Sequence, residues 1–238
     1  MTDLHPRMGT VLGVLAGALL WTAASASAQD AARNVQPDVQ QAALALPPAA
    51  ETCLQATTPD QRIKACSDAI ASGQLGGREL PMAYLTRAGA STAKGDAASA
   101  AEDNRRAILA FGTIMDPDVA DPNLLFLRGT AYHALGDADA ALADYDLAIR
   151  LSPSSPIAFI DRGILLTAYK QEYALAIMDF DSALRLAPDN LAALTLRADA
   201  YAKSGDAKHA RADYDRVLTL SPQNPQALAG RTALQTPQ

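Results

Sequence analysis

The 238-residue chain has few aromatic residues, although nearly half of it is hydrophobic. Phe, Trp and Tyr make up only 5% of the residues, whereas 52 residues are alanine and 49% are hydrophobic. A core without many large rings must be built from small side chains at close approach, and alanine is the strongest helix former. The composition therefore predicts an all-α fold.

The chain also has no excess of basic residues and very little histidine. Its 20 Lys and Arg residues are outnumbered by 26 acidic residues, and the isoelectric point is near 5.0. This balance lacks the basic surface that nucleic-acid-binding proteins need. Beyond the first 28 residues only His133 and His209 remain, too far apart for a metal cluster or a catalytic triad. We expect no nucleic-acid partner, no metal and no cofactor.

The first 28 residues follow the order of a secretory signal peptide. Arg7 precedes an apolar run of 14 residues from Met8 to Trp21, and the small residues Ala26 and Ala28 come after it. The run is shorter than the ~20 residues of a membrane-spanning helix. We predict cleavage after Ala28 and a periplasmic or secreted mature protein. A signal retained as a membrane anchor is the alternative.

The chain contains only two cysteines, Cys53 and Cys66. In an oxidising compartment, two cysteines that are the only ones in a chain are more often joined by a disulfide than free. Between them, Thr58 and Pro59 indicate a helix start, with Gln61 placed to complete a capping box. A disulfide would join the two helices of this hairpin and contribute about 3 kcal/mol to stability. A redox-active pair is the alternative, although the spacing is not Cys-x-x-Cys.

A repeat of 34 to 35 residues runs through the rest of the chain. An arginine recurs at this interval, and an aspartate follows each arginine after 16 or 17 residues. The pairs are Arg128/Asp144, Arg162/Asp179 and Arg197/Asp213, with an earlier copy at Arg87/Asp103. The longer spacing in the middle unit indicates one extra residue near Lys170-Gln171-Glu172. Each unit is typical of two helices joined by a short turn that often contains Gly-Asp.

The repeated residues resemble the tetratricopeptide repeat family. The clearest copy matches the family pattern at Leu125, Gly129, Tyr132, Ala141, Tyr145, Ala148 and Pro153. The next two match it at Phe159, Gly163, Leu166, Ala176, Phe180, Ala183 and Pro188, and at Leu194, Ala198, Tyr201, Ala210, Tyr214, Val217 and Pro222. The resemblance implies a right-handed solenoid of stacked helix-turn-helix units.

These observations together predict an ordered series of segments along the chain. They are a signal peptide (1–28), a flexible or partly extended spacer (29–50), a helical hairpin that caps the solenoid (51–80), a degenerate repeat (81–121), three clear repeats (122–155, 156–190 and 191–223), and a capping helix with a tail (224–238).

The motifs that could suggest chemistry have simpler explanations. The recurring Arg/Asp pairs favour ion pairs within or between units, with an anion-binding ladder as the alternative. Ser91 and Lys94 match a Ser-x-x-Lys motif, but the Ser-Asp-Asn and Lys-Thr-Gly motifs that accompany it in enzymes are missing. The two aspartates of Asp144-Tyr145-Asp146 would point in different directions on a helix. We predict that the protein is not an enzyme; a hydrolase-type enzyme is the remote alternative.

The resemblance further implies that the first helix of each unit lines a concave groove that holds a peptide or a partner helix. The repeat register assigns these residues to the groove: Asn123, Phe126, Thr130, His133, Ile157, Ile160, Ile164, Thr167, Ala192, Thr195, Asp199 and Lys203. The three isoleucines would form an apolar face in addition to the core face of the same helix, and such a face needs a partner. Their burial in the core is the alternative.

We therefore predict a non-catalytic scaffold or adaptor for protein-protein interactions, of an exported bacterial type and acting in the cell envelope. The family's carboxylate-clamp groove uses Lys and Asn at these places, whereas only scattered polar residues appear here. An apolar or amphipathic segment is thus the expected ligand, rather than an acidic peptide terminus or a small-molecule substrate. Self-association into a homo-oligomer through the same face is the alternative.

Overall fold

The computed structural model describes residues 48–116 and 119–234; the predicted signal peptide and residues 29–47 of the predicted spacer lie outside this part. The helices are α1 (Pro48–Gln55), α2 (Pro59–Ala71), α3 (Glu79–Ala93), α4 (Ala97–Ile114), α5 (Pro122–Ala134), α6 (Ala138–Leu151), α7 (Pro156–Leu165), α8 (Tyr173–Leu186), α9 (Leu191–Lys203), α10 (Ala207–Leu220) and α11 (Pro225–Ala233). Within these residues there is no strand, only an isolated bridge between Asp116 and Val119. The prediction of an all-α solenoid is confirmed.

Most of the helices begin where the sequence supplies a capping side chain. Thr58 and Gln61 form the expected capping box at the start of α2. Asp121, Ser155 and Asn224 cap α5, α7 and α11, and in each case proline is the first helical residue. A proline at this position loses no helical hydrogen bond, since its missing N–H would have had no partner. The starts of the helices are therefore encoded locally.

The two helices of a unit pack closely because a small residue on the first faces a ring on the second. A Cβ atom added to Gly129 would lie 2.8 Å from Cε1 of Tyr145, and one added to Gly163 would lie 2.7 Å from Cε1 of Phe180. Both rings are fully buried. The glycines thus permit an approach that any side chain would obstruct.

The amino-terminal hairpin is joined by the predicted disulfide. Cys53 on α1 and Cys66 on α2 are bonded, fully buried and 4.5 Å apart between their Cα atoms. The hairpin packs on α3 through a core that includes Ala69, Leu75 and Ala83. The helix α1 begins at Pro48, so the last three residues of the predicted spacer, 48–50, are helical instead. Proline at the first helical position explains this earlier start.

The extra residue of the middle unit is accommodated at the end of its first helix. A π-helical turn, Leu166–Lys170, follows α7, and Gln171 then adopts a left-handed conformation with φ of 54°. The other repeats turn at this point through a glycine, such as Gly136 with φ of 78°. The insertion thus replaces a glycine turn by a wider helical turn.

Candidate functional site

The repeated arginines form ion pairs inside each unit, as the spacing predicted. Arg162 Nε and Nη2 donate to the two carboxylate oxygens of Asp179 at 2.8 and 2.5 Å. The same bidentate ion pair occurs between Arg87 and Asp103, Arg128 and Asp144, and Arg197 and Asp213. The four aspartates are buried. Because both carboxylate oxygens are already occupied by the guanidinium, these pairs serve the packing of the two helices.

The same arginines also join neighbouring units. Arg162 Nη1 donates to Asp146 of the preceding unit at 2.7 Å, and Arg197 Nη1 donates to Asp181 at 2.6 Å. Arg231 of α11 continues the series with Asp215 at 3.3 Å. We call this series of contacts the ionic ladder. Its structural role is confirmed, since each rung connects helices rather than an open surface.

The residues predicted for the groove lie along one side of α5, α7 and α9, which we call the first-helix face. In the α5 part, Asn123 is exposed, while Phe126, Thr130 and His133 are half-buried. The ring of Phe126 lies 5.6 Å from the ring of Tyr145, and the Tyr145 hydroxyl donates to Thr130 at 3.4 Å. Phe126 and Thr130 therefore already make contacts within the protein.

The α7 part of the first-helix face is the most apolar. Ile157, Ile164 and Thr167 are half-buried, and the Thr167 hydroxyl donates to the carbonyl of Gly163 at 2.8 Å. Ile160 is only 8% exposed and belongs to the same core cluster as Leu194 of the next unit. Ile160 therefore lies in the core and is not open to a partner.

The α9 part contains fewer open side chains than the register suggested. Thr195 is 4% exposed and donates to the carbonyl of Leu191, so it is also a core residue. Asp199 is half-buried and accepts a hydrogen bond from the Tyr214 hydroxyl. Ala192 and Lys203 are exposed. This part thus presents the small side chain of Ala192, the positive charge of Lys203, and the carboxylate of Asp199, which already accepts one hydrogen bond.

Asp161 is a residue of this face that the sequence analysis missed. It lies four residues after Ile157 and three before Ile164, so the three side chains share one side of α7. Asp161 is half-buried, and among the described residues no hydrogen bond or ion pair reaches its carboxylate. Burial raises its pKa to about 7. The repeat could have revealed it, because the equivalent positions before Arg128 and Arg197 carry Leu127 and Leu196.

Two other ionisable groups of this region are shifted by burial. Desolvation lowers the pKa of His133, whose ring meets that of Tyr169 edge-on at 6.2 Å. Desolvation, and next the nearby charge of Asp161, raise the pKa of Tyr145. The Tyr145 phenol is therefore neutral over the physiological range. Asp161, by contrast, changes its charge near neutral pH.

The remaining candidates for chemistry are not assembled into a site. Ser91 is buried on α3, whereas Lys94 pairs with Asp60 of α2. His209 interacts with Asp206 and stacks on Tyr201, far along the chain from His133. Within residues 48–116 and 119–234 no group of three His, Cys, Asp or Glu residues is arranged to hold a metal ion. In the same part, no helix has the length and apolar character to span a membrane.

Comparison with solved structures finds other stacked-hairpin proteins. The APC/C hetero-tetramer Cut9-Hcn1 has a TM-score of 0.59 and 20% identity over 74% of this chain and 33% of that one. YrrB, described as a TPR protein with an unusual peptide-binding site, has a TM-score of 0.51 and 18% identity over 73% and 84%. A tetratricopeptide repeat protein from Parabacteroides merdae has a TM-score of 0.50 and 23% identity over 66% and 59%. These proteins share the fold.

Sequence comparison identifies the same architecture at the family level. No curated protein matches the chain significantly. A family model described as Tetratricopeptide repeat matches residues 92–156 and 166–225, which together are more than half of the chain. The two matched ranges cover the degenerate repeat from Thr92 onward and the three clear repeats, except for residues 157–165 of the second one. The chain belongs to the tetratricopeptide repeat family.

Proposed function

We propose that the protein is a non-catalytic binding module that holds a peptide or helix of a partner protein on the first-helix face. The observation that carries this proposal is the surplus apolar surface of α7. Its core contacts come from residues such as Ile160, Gly163 and Leu165, which are buried. Ile157 and Ile164 remain half-exposed beside them. An apolar surface that the described part of the fold covers only partly is typical of an interaction site.

The structural relative YrrB adds a precedent for this use of the fold. Its description names a peptide-binding site, and its chain aligns with most of this one. We propose the same class of ligand here, with an apolar or amphipathic segment rather than an acidic terminus.

We further propose that the protein works in the cell envelope after export. The signal-peptide pattern of residues 1–28 and the buried Cys53–Cys66 disulfide support this, since disulfides persist in oxidising compartments. Fusing residues 1–28 to a reporter enzyme and sequencing the amino terminus of the exported product tests the assignment. Cleavage after Ala28 is the expected result; a reporter that stays in the cytoplasm would contradict it.

The binding proposal is tested on the mature chain, residues 29–238, by selecting peptides from a random phage-displayed library. We expect the selected peptides to lose binding to Ile157→Glu, because this places a charge on the apolar face. Leu175→Glu is the matched control, since Leu175 is 49% exposed on the second helix of the same unit. Peptides that bind both variants equally would contradict the proposal. A stable dimer in light scattering that Ile157→Glu converts to a monomer would instead favour self-association.

A further inference from the structure

The charge pattern of the first-helix face restricts the ligand more than its apolar character does. Asp161 lies between Ile157 and Ile164 on α7, with its carboxylate close enough to Tyr145 to affect that phenol. The arginine next to it, Arg162, is directed at Asp179 and Asp146 instead. Asp161 is therefore a partly desolvated carboxylate in an apolar surface, and no cation within residues 48–116 and 119–234 pairs with it.

Such a carboxylate discriminates strongly between ligands. An acidic or purely apolar segment that covered α7 would remove the remaining water from Asp161 without providing a positive charge to replace that hydration. A lysine or arginine side chain would instead neutralise the charge with a charge-assisted hydrogen bond. The aliphatic stem of either residue can also lie along the flanking isoleucines while its charged end reaches the carboxylate.

We infer that the first-helix face binds a basic amphipathic segment, in which a lysine or arginine side chain pairs with Asp161 and neighbouring aliphatic side chains cover Ile157 and Ile164. This inference rests on the proposed function and names its ligand chemistry. The net charge of -6 favours the approach of such a segment. Asp199 on α9 adds a second carboxylate to the same face.

The phage selection described above also tests this inference when it is run at pH 8, where Asp161 is ionised. We expect the selected peptides to share a Lys or Arg next to an aliphatic residue. Asp161→Asn should weaken their binding at least about tenfold, which is the usual effect of losing a charge-assisted hydrogen bond. Asp189→Asn is the matched control, because Asp189 is an exposed aspartate in the turn between α8 and α9.

A double-mutant cycle assigns the effect to the pair itself. Replacing the basic residue of a selected peptide by norleucine should weaken its binding to the native chain by the same factor, and should have little further effect on the Asp161→Asn variant. Circular dichroism confirms that this variant is folded. The inference is overturned if the peptides are sensitive to Ile157→Glu but show no basic preference and no response to Asp161→Asn; the proposed function then still stands. If Ile157→Glu has no effect either, or no peptide binds, both fail.

Discussion

At the scale of single residues, Asp161 couples the first-helix face to pH. Its pKa of about 7 lies above the ordinary value of 3.8, because burial disfavours its charged form. Between these values the native protein keeps a proton that the unfolded chain has released. The free energy of unfolding therefore decreases as the pH rises from about 4 to 7, and this contribution is constant above that range.

The variant Asp161→Asn removes this dependence. We expect it to be more stable than the native chain at pH 8 by on the order of 2 kcal/mol, because the neutral amide avoids the cost of a charged carboxylate in this apolar environment. The two proteins should converge below about pH 4, where Asp161 is protonated in both the native and the unfolded chain. Urea unfolding at pH 5 and pH 8 measures the difference, and a difference independent of pH would contradict the assignment.

The glycines at the helix crossings respond to a single added methyl group according to their surroundings. In Gly163→Ala the new Cβ would meet the ring of Phe180 at 2.7 Å, so we expect a loss of about 2 kcal/mol from overpacking. In Gly112→Ala, on α4, no atom lies within 4 Å of the new Cβ. That control should gain up to about 1 kcal/mol, because alanine favours a helix over glycine. Thermal unfolding of both variants measures the contrast; equal changes would argue against the close crossing.

At the scale of elements, the ionic ladder is most sensitive at its buried carboxylates. Asp179→Ala would leave the half-buried Arg162 with Asp146 as its remaining partner, and we expect a loss of about 3 kcal/mol. Asp139→Ala removes a carboxylate that also pairs with a cation, Lys170, but the Asp139 side chain is 84% exposed. Its loss should be below about 1 kcal/mol. Similar losses for the two variants in urea unfolding would show that the ladder contributes no more than a surface pair.

The disulfide is expected to stabilise one end of the chain only. Replacing Cys53 and Cys66 by serine should cost the hairpin of α1 and α2 about 3 kcal/mol, since the bond closes a loop with a sequence separation of 13. Each unit of a solenoid contacts only its neighbours, so the effect should fade with distance along the chain. Hydrogen exchange should then increase in α1 and α2 and remain unchanged in α7 to α10. A uniform increase would contradict this view.

The features that the sequence predicted correctly are those set by short-range patterns. They include the capping box at Thr58, the helices that begin with proline and the Arg/Asp pairs. Each of these features depends on residues within one hairpin or repeat unit, and the 34-residue period makes the Arg/Asp pairs visible in the sequence. The burial of Ile160 and Thr195 was not predictable in this way, because it depends on how α7 and α9 pack across units. The state of Asp161 was missed for a related reason, since only the packed structure shows that no cation of the described part of the chain reaches its carboxylate.

At the scale of the whole molecule, the junction between α4 and α5 differs from the others. At the later junctions an aspartate pairs with the arginine of the following helix pair or capping helix; these aspartates are Asp146, Asp181 and Asp215. The equivalent position on α4 is occupied by Arg105. Residues 115–121 also make this connection longer than the later ones. The contacts across the junction include an apolar cluster that contains Phe111 of α4 and Leu124 of α5, and a 3.7 Å ion pair between Arg78 and Asp121. The chain is thus expected to separate here first.

Phe111→Ala tests this expectation. We expect a loss of about 3 to 4 kcal/mol from the cavity, together with independent unfolding of residues 48–114 and 122–234. Phe180→Ala is the matched control, because Phe180 is equally buried but lies inside a unit. Hydrogen exchange followed by mass spectrometry distinguishes the two: a separate phase for residues 48–114 should appear for Phe111→Ala alone. A single phase for both variants would contradict a distinct junction.

The π-helical turn at Leu166–Lys170 has a consequence for how a long ligand is aligned. A solenoid of equal units offers equivalent contacts after every shift by one unit, so an elongated partner could bind in several positions. The inserted residue breaks that equivalence, because it places Tyr169 edge-on to His133 in one unit only. A partner displaced by one unit would meet a glycine turn there instead. If the protein binds an elongated ligand as proposed, we therefore expect the irregular turn to favour one position of that ligand along the first-helix face.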